Sequence, residues 1–309
     1  MFAFDGTVLI EDEFLRDGLQ NEKRLFSLEE KLGFLAQLEA AGVKRIQIGS
    51  FVHPKWVPQM ANTDELFTCL KPREGVTYTA LVLNGAGLER ALAVGAKHLS
   101  ISVSASETHS QKNTNRSVDG GRAKIKPVIE KALSEGILVR AGIQSALGCG
   151  FEGHIDPDRV SDIARDFAAM GVQEINIADS AGLSNPRAVY ELCRRLRDET
   201  PANVALSLHL HDTRGLGIAN FVAGLQAGVR IFDAAVGGLG GCPFIPKATG
   251  NVATEDVAFV CEEMGIETGI NWQMLREPVE RAEALLKRKL PGRMSHMPPP
   301  PWAQHSEDK

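Results

Sequence analysis

Eight short β-rich runs alternate with helical patterns at intervals of roughly 25 to 35 residues, and this repetition predicts a closed (β/α)8 barrel. Length agrees. A chain of 309 residues is long for one simple core and short for two ordinary domains, but suits a barrel of roughly 250 residues with extensions. Residues able to do chemistry also collect directly after the strand runs, where such a barrel carries its active site. An open doubly wound sheet is the alternative that the same repetition allows.

The strands fall near 7–14, 44–50, 77–83, 97–103, 137–144, 173–178, 204–210 and 230–236. The helix after the first strand is the clearest. Ser27 and Glu30 form a capping box, Leu28, Leu32, Leu35 and Leu38 make an apolar stripe, and Gly42 closes the end. Further helices fit 62–70, 84–94, 118–135, 157–170, 186–199, 216–227 and 252–264, several with a glycine soon after (Gly95, Gly136, Gly171, Gly228). A ninth helical stretch, 272–289, lies outside the repeat and completes a domain over 1–290. The tail 291–309, with its run from Pro298 to Pro301, cannot continue a helix and is expected to be irregular or disordered.

An apolar content of 43% and a charged content of 24% are those of a globular protein, and a net charge of -5 gives no reason to invoke nucleic acid or an anionic membrane. No run approaches the ~18 apolar residues of a membrane span. The start, Met-Phe-Ala-Phe-Asp-Gly, lacks the regions of a secretory signal, so a cytoplasmic location is expected. The five cysteines, Cys69, Cys149, Cys193, Cys242 and Cys261, are odd in number and widely separated, which argues for reduced thiols.

The segment Leu206 to Gly217 reads Leu-Ser-Leu-His-Leu-His-Asp-Thr-Arg-Gly-Leu-Gly. His209 and His211, two apart in a strand, point both imidazoles to one face, as two ligands of one metal require. Two histidines on a buried strand that merely find hydrogen-bond partners would look the same. Arg16-Asp17-Gly18-Leu19-Gln20-Asn21-Glu22 packs a cation, carboxylates and amides into a turn after strand one. A carboxylate there can ligate a hard metal and an arginine can neutralise an enolate, although a solvated turn accounts for the composition too.

Gly237-Gly238-Leu239-Gly240-Gly241-Cys242-Pro243-Phe244 follows strand eight. Its glycines allow close backbone approach or a flap, and the thiol at its tip can act as acid or base. Asn251 opens a helix with Glu255 behind it; its side-chain carbonyl is a potential ligand or simply an N-cap. Gln47 and Ser50 end strand two, and Asp179 follows strand six. Asp17, His209, His211 and Asn251 together form a borderline-hard set that suits Mg²⁺ or Mn²⁺ with positions open for substrate. Zinc hydrolysis is less favoured, because no water-activating Glu lies beside the histidine pair.

Arg16 to Glu22, Ser50-Phe51-Val52-His53-Pro54-Lys55-Trp56-Val57-Pro58-Gln59-Met60, His209-Leu210-His211-Asp212-Thr213, Gly237 to Pro243 and Gly250-Asn251-Val252-Ala253-Thr254-Glu255-Asp256 resemble the motifs of the hydroxymethylglutaryl-CoA lyase family. That family comprises metal-dependent lyases related to Claisen-type condensing enzymes on a TIM barrel, and the similarity runs from about residue 8 to about residue 290. The resemblance implies retro-Claisen cleavage of 3-hydroxy-3-methylglutaryl-CoA to acetyl-CoA and acetoacetate, with CoA entering as part of the substrate, and a homodimer. It assigns Asp17, His209, His211 and Asn251 to the metal, Arg16 to the enolate and Cys242 to proton exchange with the nascent acetyl-CoA. His209 also takes a catalytic role, and Asp179 matches an active-site aspartate.

For the CoA phosphates, Lys287-Arg288-Lys289 in the added helix aligns with a basic stretch of the family near the nucleotide. Lys112-Asn113 in the loop after strand four joins it, and Ser50 is grouped with these cofactor-binding residues. A solvated basic helix end would read the same way. His53, His98, His109 and His154 are left as loop or surface residues.

One departure stands out in Arg45-Ile46-Gln47-Ile48-Gly49-Ser50: Gln47 replaces an active-site glutamate of the family, and Gly49 a larger residue. An amide of nearly the same shape removes a charge and a proton acceptor. The expectation that follows is slow turnover, or another substrate such as citramalyl-CoA, cleaved to acetyl-CoA and pyruvate. A barrel that binds metal and CoA without turnover is the reading from a different class.

Overall fold

The computed structural model describes residues 6–241, 250–298 and 300–301. Its sheet is a closed barrel of eight parallel strands in chain order: β1 (Leu9–Asp12), β2 (Arg45–Ser50), β3 (Thr77–Val82), β4 (His98–Ser104), β5 (Leu138–Gln144), β6 (Glu174–Asp179), β7 (Ala205–Leu210) and β8 (Ile231–Ala234). β1 closes the ring by pairing with β8, from Leu9 opposite Ile231 to Asp12 opposite Ala234. All eight strands match the sequence reading, and the open sheet is excluded.

The helices are α1 (Leu28–Ala40), α2 (Thr63–Cys69), α3 (Gly85–Ala93), α4 (Glu107–Thr114), α5 (Val118–Ser134), α6 (Pro157–Met170), α7 (Pro186–Glu199), α8 (Gly217–Gln226), α9 (Thr254–Glu263) and α10 (Arg276–Leu286). The expected capping box opens α1: the Glu30 N–H donates to Ser27 Oγ, and the Ser27 N–H to Glu30 Oε2. Asp156 caps α6 ahead of Pro157, and Gly171 ends it in the left-handed conformation.

Three differences from the sequence reading have local causes. α4 was expected as loop, because its residues Glu107–Thr114 are almost all polar and carry no apolar stripe; Ser106 caps it by accepting from the His109 N–H. Lys112 and Asn113 are therefore helical. The ninth helix divides into a 3-10 turn, Trp272–Leu275, and α10, which Lys287 ends at φ 55°, so Lys287-Arg288-Lys289 lies beyond the helix. His98 and His109 are buried, not surface residues.

The described part of the tail from Pro291 carries a 3-10 turn at Met294–His296. It packs: the Gly292 N–H donates to the Gly237 carbonyl, and the Arg293 and Met294 N–H groups donate to Asp256. Residues 302–309 lie outside the described residues. No described helix is long and apolar enough to cross a membrane.

The core divides by strand periodicity. Ile46, Ile48, Val139, Ala141, Ile175 and Ile177 face the helices and are fully buried. The alternate positions enter the barrel and are largely charged or polar. Arg140 there pairs bidentately with Asp233 at 2.7 and 2.8 Å, and reaches Glu11 at 2.6 Å and Glu13 at 2.9 Å. Arg45 pairs with Glu174 at 2.7 and 3.0 Å. Removing one member of such a buried set costs about 3–5 kcal/mol, even where the set adds little net stability.

Candidate active site and metal centre

The carboxyl-end mouth of the barrel opens into a cavity of about 680 Å³. Its inner wall includes Ser100 and Ser102 of β4, Gly142 of β5, Asn176 and Ala178 of β6 and His209 of β7. These are small or polar side chains at alternate strand positions, so the barrel stays open where apolar side chains would fill it.

At one edge of this cavity, β1 leads into a π-helical turn, Phe14–Gly18, which buries Arg16 and Asp17. Parallel pairing sets His209 opposite Asp233. Beyond β7, His211 bridges to Asn251 across an isolated antiparallel contact. Four side chains from three distant segments thus meet. His209 Nε2 and His211 Nε2 lie 3.0 Å apart, His211 Nε2 lies 3.7 Å from Asp17 Oδ2, and Asn251 Nδ2 donates to Asp17 Oδ2 at 2.9 Å.

This donor set fits a divalent cation. Ligand atoms of Asp17, His209 and His211 lie within 4.8 Å of one another, all three residues buried. Two metal bonds of about 2.1 Å meeting near a right angle span the separation of the two Nε2 atoms. Asn251 Oδ1 is buried without a hydrogen-bond partner, an acceptor that a cation would satisfy. His209 Nδ1 contacts Asp233 Oδ2 at 3.1 Å, the carboxylate support common behind metal-binding imidazoles.

Electrostatics favour the ligating forms of the carboxylates. Burial alone would raise the Asp17 carboxyl, but Arg16 and the two imidazoles outweigh it and hold it far below the usual range. Burial likewise opposes ionisation of Asp233, and Arg140 and His209 overcome it and lower it. For His209, burial disfavours the cation, while Asp233, Glu13 and Asp17 together raise its pKa.

Arg16 is clamped in the wall. Its Nη1 donates to Asp17 Oδ1 at 2.5 Å, its Nε to Gln47 Oε1 and its Nη2 to Glu13 Oε2. Gln47 is fully buried between Arg16 and Glu11. Gly49 is explained by Thr63, whose Oγ1 would lie 2.6 Å from an added Cβ. Ser50 lines the cavity and donates to the Leu81 carbonyl at 3.3 Å.

Asp179 stands outside the cavity lining. Its oxygens accept from the Leu183 and Ser184 N–H groups at 2.9 and 3.0 Å and so fix the turn after β6. Its carboxyl is raised by burial, which those hydrogen bonds oppose.

Lys112 and Asn113 line the mouth. The basic stretch does not: Arg288 pairs with Glu22 at 2.5 Å and Lys289 with Glu283 at 2.7 Å. His109, set aside in the sequence reading, lines the mouth and contacts Ser104 Oγ at 3.0 Å. Cys242 lies outside the described residues; Gly241, just before it, lines the cavity and accepts from Asn21 Nδ2 at 2.7 Å. Sequence reasoning missed Glu11, Glu13, Arg140 and Asp233. The available signal was Glu11 and Glu13 two apart in the first β-rich run, and a lone charge inside each of the largely apolar runs that hold Arg140 and Asp233.

Residues 7–280 match the family described as HMGL-like. A 3-hydroxy-3-isohexenylglutaryl-CoA/hydroxymethylglutaryl-CoA lyase of Pseudomonas aeruginosa is 41% identical over 271 residues, 88% of this chain and 90% of the relative. The crystal structure of the Bacillus subtilis HMG-CoA lyase superposes with a TM-score of 0.90 at 36% identity, covering 94% of this chain and 98% of that one. An HMG-CoA lyase from Acinetobacter baumannii, solved with coenzyme A and 3-methylmalate, gives 0.89 at 34% identity, covering 97% of this chain and 100% of that one.

Proposed function

The chain belongs to the HMGL-like family, and from that premise we propose that it is a divalent-metal-dependent carbon–carbon lyase that cleaves 3-hydroxy-3-methylglutaryl-CoA to acetyl-CoA and acetoacetate. The observation that carries the proposal is the meeting of Asp17, His209 and His211, with Asn251 hydrogen-bonded to Asp17, beside Arg16, at the edge of the cavity. The relatives are named for hydroxymethylglutaryl-CoA and favour it over citramalyl-CoA.

Asp17, His209, His211 and Asn251 would hold the cation, Mg²⁺ or Mn²⁺ by the hardness of the donors. Bound there, it supplies Lewis acidity toward the substrate's tertiary hydroxyl and an adjacent carbonyl oxygen. The chain's own residues do the rest. The hydroxyl proton passes to the base of the site, which we assign to His209, the C2–C3 bond breaks toward the thioester, and C3 becomes the ketone of acetoacetate. Arg16, fixed on three sides, faces the enolate oxygen as its charge grows. Protonation at C2 then yields acetyl-CoA, and we assign that proton to Cys242. We assign His209 to proton handling as well as metal binding, its ring held by Asp233.

Lys112 and Asn113 at the mouth, with Ser50 inside it, are assigned to the CoA arm, and Lys287, Arg288 and Lys289 to its phosphates. Asp179 acts by shaping the loop next to the imidazoles. We place the enzyme in the cytoplasm as a homodimer, a state that light scattering on the purified chain tests. The activity is tested by metal-dependent acetyl-CoA release from the thioester: the parent releases it and His211→Ala does not. CoA binding with no turnover of any thioester would overturn the reading.

A further inference from the structure

Gln47 stands where the resemblance implies a carboxylate, and its surroundings explain why an amide belongs there. Its Oε1 accepts from Arg16 Nε, while its Nε2 donates to Glu11 Oε1 at 3.2 Å. Glu11 is fully buried and tied to Arg140 and Arg45 at 2.6 Å each. A glutamate at position 47 would serve Arg16 equally well but would set two acceptor-only groups against each other across that 3.2 Å contact. Glu11 therefore dictates the amide.

Besides Asp17 on Nη1, Arg16 takes a second carboxylate from β1's end. Glu13 leaves β1 on the interior side, is fully buried, and binds Arg16 Nη2 through Oε2. The same oxygen lies 3.6 Å from His209 Nδ1, and Oε1 accepts from Arg140 Nη2 at 2.9 Å. Glu13 thus binds the arginine assigned to the enolate and lies 3.6 Å from the outer nitrogen of a metal-site imidazole, with Arg140 bracing it from behind. A hydrogen-bonded, immobile carboxylate there sets the distance between the two.

We propose that Glu13 is the positioning residue of this reaction, supplying from β1 the carboxylate that position 47 lacks, with Glu11 confining position 47 to an amide. The proposal rests on the lyase reading above, so the parent enzyme is assayed first; a parent that releases no acetyl-CoA defeats that reading and is recorded separately.

With an active parent, Glu13→Gln is expected to lower kcat about tenfold or more with KM within about threefold, as befits a group that aligns the transition state. Mn²⁺ binding, read by electron paramagnetic resonance, is expected to stay within about threefold of the parent, because Asp233 at 3.1 Å, and not Glu13 at 3.6 Å, holds His209 Nδ1. Gln47→Glu alone is expected to lower kcat by about fivefold or more, because it opposes Glu11. Adding Gln47→Glu and Glu11→Gln to Glu13→Gln transfers one carboxylate from position 11 to position 47, beside Arg16, leaves Arg45 on Glu174 and Arg140 on Asp233, and is expected to recover about half or more of the lost activation free energy. Any one of three results overturns the proposal: Glu13→Gln with parental kcat, loss of Mn²⁺ binding that makes the residue a structural support of the metal site, or a triple variant no faster than Glu13→Gln. If Glu13→Gln does not fold, Gln47→Glu carries the test, and a kcat equal to or above the parent's overturns the proposal.

Discussion

Asn251 Nδ2 is held by Asp17 Oδ2 and by the Leu239 carbonyl at 3.0 Å, and Oδ1 is the amide atom left without a hydrogen-bond partner. Asn251→Ala is expected to weaken Mn²⁺ binding about 10-fold to 100-fold, measured by titration of the purified chain. Parental affinity would remove Asn251 from the ligand set. Gly240 guards the same pair: at φ +127°, an added Cβ would lie 2.7 Å from Asn251 Nδ2 and 3.1 Å from Asp17 Oδ2. Gly240→Ala is expected to weaken Mn²⁺ binding about tenfold with an unchanged far-ultraviolet circular dichroism spectrum; equal affinity would contradict this. The candidate ligand cluster was legible because His209 and His211 lie two apart at the end of one strand run and Asp17 sits in a dense motif. Their supports were not, because the partners of Arg140 are strand residues 93 to 129 positions away, and such pairings exist only once the barrel closes.

At the scale of elements, α9 starts at Thr254 with Ala253 as its N-cap, so Asn251 does not cap it, and its first turn anchors both the glycine segment and the tail. Glu255 accepts from the Gly237 N–H and Asp256 from Arg293 and Met294. Burial, with Asp256 beside it, pushes the Glu255 carboxyl up to about 8. A carboxyl whose folded pKa exceeds its unfolded value of about 4.3 binds more protons in the native state. Its contribution is fully present below that unfolded value and is lost as pH rises toward 8.

Glu255→Gln mimics the protonated form. It is expected to match the parent's Tm near pH 4 and to exceed it near pH 8 by several degrees, for a difference on the order of a few kcal/mol. Identical Tm profiles would refute the assignment. Elements with a strong internal signal, such as α1 with its capping box, could be read from sequence. α4 could not, because its polar residues owe their helix to the Ser106 cap and to packing on β4 and α5.

Across the molecule, the apolar layer between sheet and helices is continuous and contains none of the candidate metal ligands. Removing metal is therefore expected to lower stability only by ligand linkage, about 2.7 kcal/mol at a hundredfold excess over Kd, or about 5 to 10 °C in Tm. Complete unfolding in chelator, followed by calorimetry, would show instead that the metal centre is part of the fold. The barrel topology was legible because the βα repeat spans the chain. What repetition could not convey is that its interior is filled by ion pairs, which leaves room for a cavity above them.

The most direct test treats the chain with chelator, adds hydroxymethylglutaryl-CoA, and follows acetyl-CoA and acetoacetate together as Mg²⁺ or Mn²⁺ is returned. The account predicts no release before the cation and equimolar release of both products after it. A chain that binds one Mn²⁺ tightly at these ligands yet cleaves no hydroxymethylglutaryl-CoA, or one that cleaves it at full rate in chelator, would contradict the account.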